Sequence, residues 1–80
     1  MTPEEREALI DQLDRSFLMM PRWSKVSCKH AMGAPEINPK TGEKFKTFRE
    51  VIEVASDHTL EILREDFEGN GELLPPVPRQ

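Results

Sequence analysis

The sequence predicts a mainly helical protein in which two long, capped helices pack on each other. Each predicted helix begins with a Thr-x-x-Glu capping box, one at Thr2 and one at Thr47. Apolar residues then recur at helical spacing in both segments. The segment between them predicts a short third helix or a β-hairpin, and a Pro-rich tail ends the chain. We expect residues 1–72 to form a single small helical domain and residues 73–80 to be extended.

The first helix is predicted to run from Pro3 to about Met20. Pro3 takes the first helical position, where its missing N–H costs nothing, and the glutamates that follow lie near the positive end of the helix dipole. Pro21 ends the helix because the residue before a proline disfavours helical backbone angles. The apolar residues that share one face are Leu9, Ile10, Leu13, Phe17 and Met20.

The segment 22–34 fits two interpretations. A helical spacing is matched by Trp23, Val26, Ser27, His30 and Ala31. A short strand would instead account for the alternation of Val26, Cys28 and His30 with polar residues. We favour a short helix that stops at Gly33, with the Trp23 ring covering the core.

The segment 35–46 predicts a turn or a small hairpin. Its centre, Asn-Pro-Lys-Thr-Gly, is composed of strong turn formers. We expect Ile37 and Phe45 to face each other across this turn. Because an isolated hairpin is marginally stable in water, the hairpin should lie against the helices.

The second helix is predicted to be one continuous rod of about 30 Å, from Thr47 to Phe67. One face carries Phe48, Ile52, Ala55, Thr59, Ile62 and Leu63. Among these we expect Phe48, Ile52 and Ile62 to be core residues. The apolar arc is wider than one packed neighbour needs, so the excess predicts contact with a second copy or another protein. Beyond the helix, a two-glycine stop at 69–71 precedes a tail in which Leu73, Leu74 and Val77 are expected to fold back.

Composition limits the class of protein. Eighty residues allow one domain with a small core, and one cysteine excludes an internal disulfide. A lone thiol, no apolar run of membrane-spanning length and no signal peptide predict a soluble cytoplasmic protein. Oligomerisation is the remaining source of stability, so we expect a homodimer. The net charge of −4 is uneven: residues 21–46 carry six bases and two acids, between two acidic helical segments.

Protein binding is the function that these patterns favour. The carboxylates expected on one ridge of the second helix are Glu50, Glu53, Asp57 and Glu61. The apolar or basic candidates are Met19, Met20, Arg22, Trp23, Lys25, Lys29 and Lys44. Methionine clusters suit adaptable interfaces. The size fits a non-enzymatic adaptor or inhibitor, such as a phage-type protein, that docks on a larger bacterial protein.

DNA binding is the first alternative. The basic segment 22–46 would then act as a helix followed by a wing that tracks phosphates. The acidic total charge argues against it. Binding to duplex DNA that weakens steeply with salt would identify this function.

Metal binding through Cys28, His30 and His58 is the second alternative. Three such ligands could hold zinc, but no further cysteine or histidine cluster accompanies them. Catalysis by Cys28 with a histidine base lacks an oxyanion-hole motif, and the chain has no phosphate-binding glycine loop. The sequence therefore predicts neither an enzyme nor a cofactor.

Overall fold

The structure, a computed structural model, describes residues 1–21 and 37–75. Within these ranges it is mainly helical and contains α1 (Pro3–Leu18), α2 (Phe48–Glu53) and α3 (Asp57–Gly69). The predicted mainly α class with two long helices is confirmed. The described residues form no sheet, only an isolated antiparallel bridge. The interpretations of segment 22–34, and most of the tail, lie outside the described ranges.

The first helix begins and ends close to the predicted residues. The Thr2 hydroxyl accepts a hydrogen bond from the Glu5 amide at 3.1 Å, and Pro3 follows as the first helical residue. The helix ends at Leu18, two residues before the predicted end, where the Met19 amide bonds back to carbonyls of the last turn. Its buried apolar residues are Leu9, Ile10, Leu13 and Phe17, with Met20 buried just beyond the helix.

The predicted continuous second helix is wrong, because the chain breaks at residues 54–56. The first part, α2, begins with the full capping box of Thr47 and Glu50. A new helix then starts after Ser56, whose hydroxyl accepts a hydrogen bond from the Thr59 amide at 3.2 Å. Ser is a strong N-cap residue because its oxygen satisfies an amide that has no intrahelical partner. The break therefore has a local cause in the sequence.

The break changes which residues of the second segment reach the core. In α3 the buried residues are Leu60, Leu63 and Phe67, at the spacing of a new helical face. Leu60 is fully buried, although a continuous helix would have turned it away from Phe48. Ile62 is 44% exposed, so its predicted place in the core is wrong. Phe48 and Ile52 are buried as predicted.

The core forms where α1 packs against both α2 and α3. Phe48 lies at its centre. Its ring stacks on Phe17 with centroids 4.0 Å apart, and a looser contact of 6.5 Å joins it to Phe67. Aromatic pairs of this kind add about 0.5–1.5 kcal/mol beyond the area they bury. One aromatic side chain from each helix therefore ties the three elements together.

The loop before α2 is a turn closed by a short antiparallel pairing. Ile37 is opposite Lys44, and the Asn38 amide donates to the Glu43 carbonyl at 2.7 Å. The predicted pairing of Ile37 with Phe45 is therefore wrong by one residue. The register follows from Gly42, whose φ of +73° is accessible to glycine and closes the loop one residue earlier. A shift of one residue places Phe45 on the other face of the ribbon.

The end of α3 confirms the predicted glycine stop and shows where the tail begins. Gly71 has a φ of +69°, its amide bonds the Glu68 carbonyl, and the Glu72 amide bonds the Phe67 carbonyl at 2.8 Å. This is the pattern of a Schellman motif. It turns the chain back, so that Leu73 packs against the core.

The described part of the tail is held by α1. The Leu74 amide donates to the hydroxyl of Ser16, a fully buried residue, at 2.9 Å. Gln12 donates to the Leu74 carbonyl, also at 2.9 Å, and Arg15 donates to the Pro75 carbonyl at 3.1 Å. Polar side chains on one flank of α1 thus replace the backbone partners that an extended segment lacks.

Candidate protein-docking site

An open groove runs along one side of the contact between α1 and α3. Its volume is about 340 Å³. The lining residues are Met1, Glu5, Ala8, Leu9, Gln12, Glu61 and Arg64. Leu9 is buried and Ala8 is half-buried, whereas Glu5, Glu61 and Arg64 are exposed. The groove therefore has an apolar floor and a charged rim. We call it the α1–α3 groove.

The groove is possible because one small residue, Ala8, lies beside the core face of α1. Glu5, Ala8 and Gln12 are three and four residues apart and thus lie one above another on the helix. Ala8, at the middle of this row, leaves space that a larger side chain would fill. The opposite wall of the groove is formed by Glu61 and Arg64 on α3.

The helices that form the groove are strongly acidic. Together α1 and α3 contain ten carboxylate side chains and three arginines. One of these arginines, Arg6, is bound to Asp57 and to backbone carbonyls. Glu5 and Glu61 form no ion pair within residues 1–21 and 37–75. The rim of the groove is therefore set in a negative field, which attracts basic groups.

The four carboxylates predicted to share one ridge lie on different elements, because the helix is broken. Glu50 accepts from the Lys46 amide at 2.6 Å and from the Thr47 amide, completing the cap of α2. Glu53 pairs with Arg49 at 3.1 Å. Asp57 pairs with Arg6 at 2.6 Å. Glu61 lines the α1–α3 groove. Their predicted role in partner binding stays a prediction.

Arg6 connects α1 to the break between α2 and α3. Its guanidinium donates to the Glu53 carbonyl at 3.1 Å and to the Ala55 carbonyl at 2.5 Å, besides its pair with Asp57. The last carbonyls of a helix lack intrahelical donors, so Arg6 supplies the missing partners. Five donors in a fixed planar fork make arginine suited to three acceptors at once.

Arg49 makes a second connection, which joins α2 to Asp11 and Asp14 on α1. Its guanidinium lies 2.6 Å from Asp11 and 3.8 Å from Asp14, and its Nε donates to Glu53. The hydrogen bond with Asp11 raises the pKa of the Arg49 guanidinium above its ordinary value. Because a raised pKa stabilises the fold at every pH below the ordinary value, this contribution stays constant over the physiological range.

The residues predicted as an apolar or basic surface are only partly accounted for. Met19 is 74% exposed and Leu18, beside it, is 62% exposed. Met20 packs into the core instead, so its predicted place on the surface is wrong. The reason is that the chain turns inward after Met19, where the Met20 amide bonds the Phe17 carbonyl. Lys44 is exposed. The remaining candidates, Arg22, Trp23, Lys25 and Lys29, lie outside the described residues.

The metal-binding alternative is represented in the described ranges by His58 alone, which is exposed in the first turn of α3. Cys28 and His30 lie outside those ranges. The part of the chain that the structure describes contains no group of three side chains able to hold a metal ion. It also contains no helix with the length and apolar character needed to cross a membrane.

Sequence reasoning identified Glu5, Leu9 and Glu61 but missed the other four residues that line the groove. Ala8, Gln12 and Arg64 did not belong to any motif, and Met1 lay outside the predicted helix. The only signal was the spacing of Glu5, Ala8 and Gln12 on one flank of α1. That spacing acquires meaning only when α3 is known to pack beside it.

Comparison with known proteins finds no matching family model, no matching curated protein and no matching solved structure. The assignment of function therefore rests on the geometry and charge of the described residues.

Proposed function

We propose that this chain is a non-enzymatic protein-binding module that acts as an adaptor or inhibitor by docking on a larger protein. The observation that supports the proposal is the α1–α3 groove, with its apolar floor and its rim in an acidic field. A groove between two helices is a common receptor for an amphipathic segment, which buries its apolar face while polar residues meet the rim.

The charge of the rim defines the chemistry of the partner. Glu5 and Glu61 stand on opposite walls and form no ion pair within the described residues, so a segment in the groove gains by placing lysine or arginine beside them. Arg64, on the same rim, favours one acidic or carbonyl group in that segment. The partner is therefore a mainly basic amphipathic segment of another protein.

Two charge reversals on α3 test this proposal. Glu61→Lys changes the groove rim, whereas Asp66→Lys makes the same change at an exposed position that does not line the groove. The probe is a labelled amphipathic peptide with a leucine stripe flanked by lysines. Its binding is followed by fluorescence anisotropy, together with NMR shifts of the Ala8 and Leu9 amides.

We expect the wild type and Asp66→Lys to bind the peptide with similar affinity. Glu61→Lys should weaken binding by about three- to tenfold, because one exposed attraction becomes a repulsion. A peptide with glutamates in place of lysines should bind more weakly to the wild type. Equal losses in both variants would indicate a general charge effect, and no binding by the wild type would reject the groove as the docking site.

The module also self-associates in this proposal. The support is the small core together with exposed apolar side chains, among them Leu18, Met19 and Ile62. A chain of eighty residues gains from any additional burial, since its own core is limited. Light scattering over a range of concentrations measures this directly, and a mass that stays monomeric throughout would reject it.

A further inference from the structure

The link between α2 and α3 is built from residues that a helix accepts. Val54, Ala55 and Ser56 include neither glycine nor proline, and no residue among them has a positive φ. Val54 has φ −99° and ψ −2°, close to helical values, whereas Ser56 is extended with φ −71° and ψ 159°. Rotation of the ψ of Ser56 from its extended to a helical value is therefore a main step in joining the two helices into one.

Two kinds of interaction keep this link bent. The first kind acts at the link itself: the Ser56 cap on α3, and Arg6 bound to the Glu53 and Ala55 carbonyls. The second kind is the packing of α3 on α1 through Leu60, Leu63 and Phe67. The interactions at the link form only when the link is bent. The packing requires an α1 helix, but any copy of the chain can supply it.

We propose that the self-association partner is a second copy of this chain that exchanges α3. In each copy α2 and α3 join into one helix, and α3 packs on α1 of the other copy. This inference rests on the proposed self-association, but it derives the dimer from the link between α2 and α3 and not from burial of the exposed apolar side chains. Each exchanged contact is the same as in the monomer, and new backbone hydrogen bonds form across residues 54–57. This is the usual balance of domain swapping, where a short link decides the outcome.

The exchange has an electrostatic cost that keeps the monomer competitive. In one continuous helix Glu53, Asp57 and Glu61 are four residues apart, so that like charges face each other. The Glu53 carbonyl also changes partner, because it accepts from the Asp57 amide and no longer needs Arg6. The α1–α3 groove is kept, but Glu61 and Arg64 in each groove then come from the other copy.

Ser56 offers a matched pair of variants that differ only in the preference of the link. Ser56→Ala and Ser56→Gly both lose the hydroxyl. Glycine is tolerated at an N-cap and disfavours a helix interior, whereas alanine is poor at an N-cap and the best residue inside a helix. Relative to the wild type, Ser56→Ala should therefore favour the straight link by about tenfold per chain. Because the dimer contains two links, its association constant should rise by about a hundredfold.

Asp57→Pro should allow the bent link and prevent a continuous helix. Residue 57 is the first of α3, where proline is favoured, and Ser56 before it is already extended. Inside a continuous helix the same proline would remove a hydrogen bond and clash with the Glu53 carbonyl. Asp57→Ala is the control, because it loses the same pair with Arg6 without blocking the helix.

The association constants of all four variants are measured by light scattering coupled to gel filtration, with circular dichroism to confirm folding. We expect Ser56→Ala to dimerise most strongly, Ser56→Gly weakly, Asp57→Ala measurably and Asp57→Pro not at all. A dimer of Asp57→Pro as strong as the wild type would overturn the exchange and point to another surface, such as Leu18 and Met19. Equal constants for the two Ser56 variants would also overturn it, and these remain informative if Asp57→Pro does not fold.

The failure of this inference is distinguishable from failure of the proposed function. Peptide binding by the α1–α3 groove is measured on monomer and dimer alike, and neither result depends on the link. Monomers in every variant at every concentration would reject both the exchange and self-association. Dimers whose association constants are unchanged by the Ser56 and Asp57 substitutions would reject the exchange but not self-association.

Discussion

Truncating two isoleucines ten residues apart distinguishes the broken helix from a continuous one. Ile52, on α2, is fully buried, whereas Ile62, on α3, is 44% exposed. A continuous helix would place both on the same face and in the same core. Ile52→Ala and Ile62→Ala make the same chemical change, so the difference in their unfolding free energies reports burial alone.

The expected magnitudes differ by several-fold. Removing a fully buried isoleucine side chain down to alanine costs about 2–5 kcal/mol, because the transfer free energy is lost and a cavity remains. Ile62 already exposes nearly half of its side chain and leaves no closed cavity, so we expect a loss of about 1 kcal/mol or less. A domain of eighty residues has a total stability of roughly 4–12 kcal/mol, so the first change is a large part of it.

Urea denaturation followed by circular dichroism at 222 nm measures both changes. If Ile52→Ala is too unstable for a folded baseline, Ile52→Val should still cost about 0.5–1.5 kcal/mol and can be compared with Ile62→Val. Equal losses at the two positions would refute the break at residues 54–56, and with it the assignment of Leu60 to the core. A change in m-value in one variant alone would indicate an altered unfolded or native state, or a departure from two-state unfolding.

Two further predictions concern the ends of elements. Gly71→Ala should cost about 1 kcal/mol because alanine is strained at a φ of +69°, whereas Gly69→Ala should be neutral or stabilising, since a Cβ there meets no atom within 4 Å and alanine favours a helix. Thermal melting measures both. Ser16→Ala should cost about 1–2 kcal/mol and speed hydrogen exchange at the Leu74 amide, because that amide loses its acceptor. Unchanged exchange at Leu74 would show that the tail does not rest on α1.

Local signals in the sequence predicted the starts of α1 and α2 and the end of α3 well. The capping threonines, Pro3 and the glycines after α3 act through bonds within a few residues, so their effects are readable without tertiary structure. The apolar spacing of α1 likewise identified its buried face, because that helix is unbroken. Where one local rule acts alone, sequence and structure agree.

The break at residues 54–56 was not predicted because two local rules compete there. Ser56 is a good N-cap, but Val54, Ala55 and Ser56 are also acceptable inside a helix. The choice between them depends on tertiary contacts: the packing of α3 on α1, and Arg6, which lies about fifty residues earlier and satisfies the carbonyls freed by the break. No pattern in the 47–67 segment contains that information.

The hairpin register shows the same limit on a smaller scale. The turn sequence identified the loop, but its closure depends on which residue takes a positive φ. Gly42 does so, and Asn38 accepts from the Lys40, Thr41 and Gly42 amides, through its side chain and its carbonyl. These bonds set the pairing of Ile37 one residue earlier than the apolar pattern suggested.

The break also changes the reason for expecting a docking surface. In a continuous helix Leu60 would lie about 120° round from Phe48, so one neighbouring helix could not cover both. Bending at Ser56 turns both residues toward α1, and both are buried. Phe48 and Leu60 are thereby both used within the chain, so the width of the apolar arc is no longer by itself a reason to expect an external partner. What supports one is the α1–α3 groove, which exists because α3 packs beside Ala8. Filling the groove with Ala8→Leu should therefore remove peptide binding while the core is kept, whereas a docking surface on the arc would be indifferent to that change.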